Sequence, residues 1–310
     1  MRINIIIPNY NGADLISKNL LKVVESLEDY PDSKIIIVDD GSDLPDYEKL
    51  REFINSLKNK KIELIRKEKN SGFSSTVNKG TFSQDSDFLV FLNSDVVPEK
   101  DFLSRVVLDF GINKNLFGVG FLDKSKEGEE IVFRGRGEAF WKRGFLVHKK
   151  GDIDRPDTFW ISGGSSIVRS GIFKELGGFD EIYDPFYWED IDVSYRARKL
   201  GYEIMFEKES IVIHRHSEGA IRSYYSNQEI RKISYRNQFI FIWKNIADPK
   251  LLINHILWLP YHMFRNLLNP DLAFFQGFLL ALLKLPVIIS KRNKQKKLYK
   301  STDLELIEVK

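Results

Sequence analysis

The chain has 310 residues, 43% of them hydrophobic, and its 47 Lys and Arg nearly balance 44 Asp and Glu, leaving a net charge of +3. That is enough apolar material for a large core with one appendage, and too little net charge for nucleic acid to be a main partner. There is no cysteine, which excludes disulfides, thiolate metal sites and a cysteine nucleophile.

Met1-Arg2-Ile3-Asn4-Ile5-Ile6-Ile7 enters a first strand over 3–7 directly. It has neither the length nor the cleavage site of a signal peptide, so a cytoplasmic location is expected. A helix over 13–27 follows, with Leu15, Leu20, Leu21, Val24 and Leu27 as its apolar positions. Then come a strand over 34–38, a helix over 47–57, a strand over 62–65 and a helix over 75–81. The pattern continues with a strand over 88–92, a helix over 103–110 and a strand over 118–122. Strands alternating with helices predict an α/β fold, a mainly parallel sheet flanked by helices and built by right-handed crossovers. Further on, 159–168 reads as a strand, 171–176 as a short helix stopped by Gly177-Gly178, and 188–200 as a helix. The stretches 201–206 and 211–213 are the last strand-like ones. These elements divide the chain into 1–225, a helical region over 226–292 and a basic tail over 293–310, the last ten residues being expected loose.

The strand Phe88-Leu89-Val90-Phe91-Leu92 is an unbroken apolar run that changes abruptly to Asn93-Ser94-Asp95. Open α/β sheets bind ligands outside the carboxyl ends of their strands, so a carboxylate there, with an amide two residues earlier, suits a divalent cation and a phosphate-bearing ligand. Asn, Ser and Asp are equally turn formers. Two earlier strands end in polar residues as well, Ile7 in Pro8-Asn9-Tyr10-Asn11-Gly12 and Val38 in Asp39-Asp40-Gly41-Ser42. Three parallel strands would bring Tyr10, Asp40 and Asp95 to one edge, where a carboxylate can accept a pyrimidine N–H and a tyrosine can stack on the ring. The loop Asn70-Ser71-Gly72-Phe73-Ser74-Ser75, ahead of Val77-Asn78, offers backbone amides and a helix N-terminus to a phosphate or ribose. It matches neither GxGxxG nor a P-loop, which speaks against dinucleotide oxidoreductases and NTPases.

A second cluster lies in the middle of the chain. Gly163-Gly164 lets backbone approach a ligand, and Trp188 precedes Glu189, Asp190 and Asp192, which crowd the first turn of a helix. The helix dipole alone favours acids there, and their stacking beside Trp188 points to a site. His214, at the end of the last strand, is a reasonable Mn²⁺ or Mg²⁺ ligand if Asp95 faces it.

Taken in order, IIIPNYNG, IIIVDDGS, NSGFSSTVNKG, FLVFLNSD, ISGGSSIVR, GGFDE, FYWEDIDVSYRARKLGY and IVIHRHSEG resemble the inverting family-2 glycosyltransferases with the GT-A fold, in their rhamnosyltransferase-like branch. The motifs cover about 3–219. The resemblance implies transfer of a sugar from a nucleotide diphosphate donor, assisted by a divalent metal (Mn²⁺ or Mg²⁺), to a saccharide or lipid-linked acceptor. It implies Asp190, within a Glu189-Asp190 motif, as the base, and Asp95 with His214 on the metal. The nucleotide-sugar contacts it implies are Pro8, Tyr10, Asn11, Asp39, Asp40, Gly72, Asn78, Asn93, Ser94, Gly163, Gly164 and Trp188. Asn93 departs from the family's usual first aspartate and is a neutral, weaker ligand. A nucleotidyltransferase, which would leave Glu189-Asp190 without a role, and a non-catalytic nucleotide-sugar-binding protein are the alternatives. A dTDP-rhamnose or UDP-sugar donor is expected; the acceptor, the linkage and the oligomeric state are left open.

The helical region carries a helix over 229–246 and two very apolar stretches, 251–268 and 272–290, separated by Asn269-Pro270-Asp271. Gln276, Lys284 and Pro286 interrupt the second, and His255, Pro260, His262 and Arg265 the first. They therefore read as helices on a bilayer interface or on a partner rather than spanning ones. An ordinary helical subdomain fits the same pattern. Lys291, Arg292, Lys294, Lys296, Lys297 and Lys300, with no acid among them, suit anionic headgroups.

Overall fold

The structure is a computed structural model and describes residues 1–127, 130–214, 223–268 and 271–310. Arg215–Gly219 of the IVIHRHSEG motif and the Asn269-Pro270 break lie outside the described residues.

The first half alternates as expected: β1 (Ile3–Asn9), α1 (Ala13–Glu25), β2 (Lys34–Asp39), α2 (Leu44–Leu57), β3 (Ile62–Arg66), α3 (Phe73–Thr81) and β4 (Phe88–Leu92). β5 (Val96–Pro98), α4 (Phe102–Ile112) and β6 (Leu116–Glu127) follow. Strands β2, β1 and β4 lie side by side and parallel, with β3 outside them. Their side chains alternate between two apolar layers. Ile5, Ile7, Ile35, Ile37, Val90 and Leu92 meet Ile16 and Leu20 of α1 and Val106 of α4 on one face. Ile6, Ile36, Val38, Leu89 and Phe91 meet Val77 of α3 on the other. Burial on both faces is why β4 carries no polar residue.

Beyond β4 the sheet is mixed. β10 (Ser165–Arg169) runs antiparallel between β4 and β6, and β11 (Glu203–His214) runs parallel to β6 and antiparallel to β5. The strand expected over 159–168 is regular only in β10, and 201–206 with 211–213 form the one strand β11, carried across by a register shift between Glu207 and Ile211. Besides β5 and a short strand in the tail, three more strands had no expectation: β7 (Glu130–Arg134) and the hairpin β8 (Gly137–Lys142) with β9 (Phe145–Lys150), turned at Arg143-Gly144 with both residues at positive φ. After β10 come α5 (Ser170–Glu175), a 3₁₀ turn (Glu181–Tyr183) and α6 (Glu189–Lys199).

The C-terminal helices are α7 (Asn227–Asn245), α8 (Pro249–Leu268), α9 (Leu272–Leu283), α10 (Leu285–Lys296) and the short α11 (Asp303–Leu306). The stretch 272–290 is two helices bent by 65°, because Pro286 in the first turn of α10 cannot continue the ladder of α9. One apolar cluster joins these helices to the rest: Phe239, Phe241, Phe274 and Ile288 pack with Trp141 and Phe145 of the hairpin and with Trp188, Ile191 and Tyr195. The tail is not loose. Asp303 is buried against Lys199 at 2.8 Å and against the hydroxyl of Tyr195, and β12 (Glu308–Val309) adds to β8.

Candidate active site

Strand register brings three polar side chains together. His214 pairs with Val96, the residue after Asp95, in β5, and with Ser125, two residues after Asp123, in β6. Its Nε2 lies 3.2 Å from Asp95 Oδ2 and its Nδ1 lies 2.6 Å from Asp123 Oδ2. All three are largely buried. Burial alone would lower the imidazole pKa, but the hydrogen bonds to Asp123 and Asp95 outweigh it and push it up to about 9.

His214 and Asp95 line a cavity of about 500 Å³ at the carboxyl ends of β1, β2 and β4. Pro8, Tyr10, Asp40, Gly72, Asn93, Ser94, Gly163, Gly164, Glu189 and Asp190 also line it. Gly164 accepts the amide of Asn93 at 3.0 Å, and a Cβ there would come within 2.3 Å of the Asn93 carboxamide, so only glycine allows this approach. The amide of Gly163 lies 3.4 Å from Asp190 Oδ2, a long bond, and that of Ile191 donates to Asp190 Oδ1 at 2.8 Å. The glycine pair therefore connects the end of β4 to the start of α6.

The three acids of that first turn have separate environments. Asp192 is fully buried and held by Arg196, Lys244, Asn245 and the hydroxyl of Tyr183, so it belongs to the packing of α6 on α7. Glu189 is buried, and burial followed by the charge of Asp190 raises its carboxyl well above the usual range. Asp190 is half-buried and its pKa is pushed up to about 6 by burial, against the pull of the Ile191 and Gly163 amides. A carboxylate near pH 6 in a cleft is suited to taking a proton.

The Asp40 end of the cleft is tighter than the sequence implies. Asp40 takes an ion pair from Lys67 at 2.6 Å and amides from Ser71 at 3.0 Å and Gly72 at 2.9 Å. With at most four acceptor positions on a carboxylate, that leaves it about one. The amides at the start of α3, expected to face a phosphate or ribose, are taken by Asp184 through Ser74 at 2.8 Å and Ser75 at 3.3 Å. Burial pushes the Asp184 carboxyl up to about 6 in spite of them. This corrects the expectation of an open amide cradle: carboxylates already fill it.

Four expected nucleotide-sugar contacts do not line the cavity. Asp39 is wholly buried and accepts from Asn9 and Ser42, holding β1 and β2 together at their ends. Asn11, at φ 49°, exchanges hydrogen bonds with the Ser42-Asp43 loop. Asn78 bonds in both directions with the backbone of Phe179. Trp188 is buried against Phe241 and His148. Each has its polar or aromatic group spent inside the fold. Asn70 and Phe73, from the loop expected to approach a ligand, do line the cavity; sequence reasoning assigned no role to Thr76, Ser162, Pro185, Phe186, Tyr187, Tyr224 and Tyr225. Tyr224 meets Tyr10 edge-on at 5.2 Å and Tyr225 meets Phe186 at 4.8 Å, an aromatic wall on the Tyr10 side of the cleft. The isolated Tyr-Tyr pair was its one sequence signal.

As a cation site, Asp95 and His214 fit. The Asp123 carboxylate fixes the imidazole with Nδ1–H turned away and Nε2 turned to Asp95 and the cavity, the usual support for a metal-binding histidine. Among the described residues no three acidic or imidazole side chains form a complete cage.

A sheet whose parallel half ends in such a cleft, crossed by antiparallel β10 and flanked by helices, defines the GT-A fold class. Residues 4–177 match the model of Glycosyl transferase family 2, more than half of the chain, and the chain belongs to that family. It is 26% identical over 215 residues to the pre-mycofactocin glycosyltransferase of Mycobacterium tuberculosis, covering 69% of this chain and 43% of that protein. It is 26% identical over 217 residues to the O-antigen chain rhamnosyltransferase WbaN of Salmonella anatum, covering 69% and 66%. The chain thus spans under half the length of the first relative and about two thirds of the second. Its fold also matches GalNAc-T7, solved with UDP, GalNAc and Mn²⁺, with a TM-score of 0.65 at 17% identity over 79% of this chain and 48% of that one.

Proposed function

We propose that this protein is an inverting glycosyltransferase that moves a sugar from a nucleoside diphosphate donor, dTDP-rhamnose or a UDP-sugar, to a hydroxyl of a saccharide or lipid-linked acceptor. The observation that carries this reading is one cleft holding a carboxylate–imidazole pair, Asp95 with His214, and a separate carboxylate, Asp190, with its pKa near 6. The rhamnosyltransferase among the relatives and the neighbour solved with UDP and Mn²⁺ support the donor class.

Tyr10 stacks on the pyrimidine, with Tyr224 closing against it, and the remaining acceptor position of Asp40 takes the ring N–H. Asp190 accepts the acceptor hydroxyl's proton as that oxygen attacks the anomeric carbon, and the bond to the nucleoside diphosphate breaks on the opposite side. No covalent intermediate is required. A divalent cation, Mn²⁺ or Mg²⁺, held by Asp95 and His214 would supply Lewis-acid neutralisation of the leaving diphosphate. The protein would work peripherally at the inner face of a cell membrane, where a lipid-linked acceptor is found.

A thermal-shift screen of nucleoside diphosphate sugars with Mn²⁺, followed by donor hydrolysis, tests this reading. A ligand that binds only the folded state raises Tm. A dTDP- or UDP-sugar that raises Tm and is slowly hydrolysed to free sugar and nucleoside diphosphate is expected. Release of pyrophosphate would mean a nucleotidyltransferase, and binding without any turnover a sugar-nucleotide carrier.

A further inference from the structure

Helix α8 is apolar on its outward side as well as its inward one. The side facing the protein packs Leu251, Leu252, Leu259 and Met263 on the core and carries polar groups beside them. His255 is buried, its Nδ1–H donating to Gly144 O at 2.7 Å while Nε2 accepts the indole N–H of Trp243 at 3.1 Å. His262 donates to Arg143 O at 2.8 Å, and Asn254 accepts the indole N–H of Trp141 at 2.9 Å. The side facing away carries Ile253, Ile256, Leu257, Phe264, Leu267 and Leu268, each more than half exposed. At 3.6 residues per turn these six fall within about a third of the helix circumference, a row about 22 Å long. Scattered exposed apolar residues are ordinary; a continuous row of them marks a surface that something covers.

The surrounding charge identifies the occupant. From Pro249 to Thr302 the one acidic residue is Asp271, and Arg231 and Tyr235 already engage it. On α8 itself Lys250 and Arg265 flank the row, and Arg143 at the hairpin tip lies over the rings of Trp258 and Tyr261 beside it. An aliphatic row rimmed by cations and two amphipathic aromatic rings matches the boundary between acyl chains and anionic headgroups. Protein-binding patches draw instead on Trp, Tyr and Arg at their centres and use Leu sparingly. Among the described residues no single helix, α8 included, is long and apolar enough to cross a membrane, and only α9 and α10 taken together as a bent pair approach that length.

We propose that α8 is the membrane-docking element of this protein, lying in the plane of an anionic phospholipid bilayer with its outward row among the acyl chains. This deepens, and for its purpose rests on, the reading of transfer to a lipid-linked acceptor.

The test is flotation of the full chain with vesicles of phosphatidylcholine with and without phosphatidylglycerol, comparing the parent with a Leu257→Glu, Leu268→Glu double variant. Because both side chains are exposed, the variant should keep the parent's Tm and donor hydrolysis. Its partition onto phosphatidylglycerol vesicles should fall at least about tenfold. The parent should float with those vesicles, less with pure phosphatidylcholine, and be released in part by high salt. A variant that floats like the parent overturns the proposal. So does a parent that ignores vesicles and is a dimer which the variant splits, since a second copy then covers the row. Donor hydrolysis failing in a parent that still floats would overturn the transfer reading and leave the docking surface standing.

Discussion

The carboxamide of Asn237, buried in α7, donates to the carbonyl of Tyr187 at 2.8 Å, two residues before α6 begins at Glu189. The same group reaches Tyr183 O at 2.8 Å and Phe186 O at 2.9 Å, and Arg236 donates to Tyr183 O and Asp184 O. Tyr187 and Trp188 both sit at positive φ, 70° and 76°, which costs about 1–3 kcal/mol for each such residue. Helix α7 thus holds in place the strained turn from which Asp190 is presented to the cleft.

That arrangement predicts the behaviour of Asn237→Leu. Leaving buried carbonyls without a donor costs about 1–3 kcal/mol for each group left unmade. Tm should fall and kcat should fall with it, while donor KM changes little, because Tyr10 and Asp40, the proposed nucleoside contacts, follow β1 and β2 rather than this turn. A variant with a lowered Tm and an unchanged kcat would show that the clamp serves folding alone.

Asp190 should govern the pH profile. A base must be deprotonated, so transfer should decline as pH falls through about 6, the value to which burial raises this carboxyl. Asp190→Asn should lose roughly 10²-fold or more of kcat with donor affinity nearly intact, and its residual activity should lack that acid limb. Near-normal turnover in the variant would move the role to Glu189.

Asp95→Ala should weaken donor binding by about tenfold or more in Mn²⁺ and much less in EDTA, and His214→Ala should do the same to a smaller degree. Asp123→Asn touches no ligand, yet it loosens the imidazole and should cost roughly 10- to 100-fold in metal affinity. Calorimetry of donor with and without Mn²⁺ reads all three. Binding indifferent to metal in the parent as well as in the variants would remove the cation from the mechanism.

Lys199 and Asp303 are both buried and paired at 2.8 Å, so Asp303→Ala leaves an ammonium without its partner. A loss of about 3–5 kcal/mol is expected, measured by denaturant unfolding. A stability change below about 1 kcal/mol would mean that the C-terminal residues are held by α11 and β12 without this pair.

What the sequence determined by itself is the α/β frame and the chain positions of the site. Apolar runs ending abruptly before Tyr10, Asp40 and Asp95 are legible because strands buried on both faces are mostly apolar until the chain nears the end of the sheet. The acids after Trp188 were legible as a cluster too. Their division of labour was not: Asp192 is turned to Lys244 and Arg196, and Asp190 to the cleft, by rotation about one helix. Asp123 escaped notice because it meets His214 across 91 residues of chain, through strand register that no local pattern encodes. Asn78 and Asp39 looked like ligand contacts because free amides and carboxylates look alike in sequence whether their partner is a ligand or the backbone of a distant loop. The outward row of α8 was visible as apolar periodicity, but periodicity names a face without saying which way it points. Only the tertiary structure decides that, because His255, His262 and Asn254 found their hydrogen bonds in the β8–β9 hairpin and in α7 while Leu251, Leu259 and Met263 packed on the core, leaving the second aliphatic row outside.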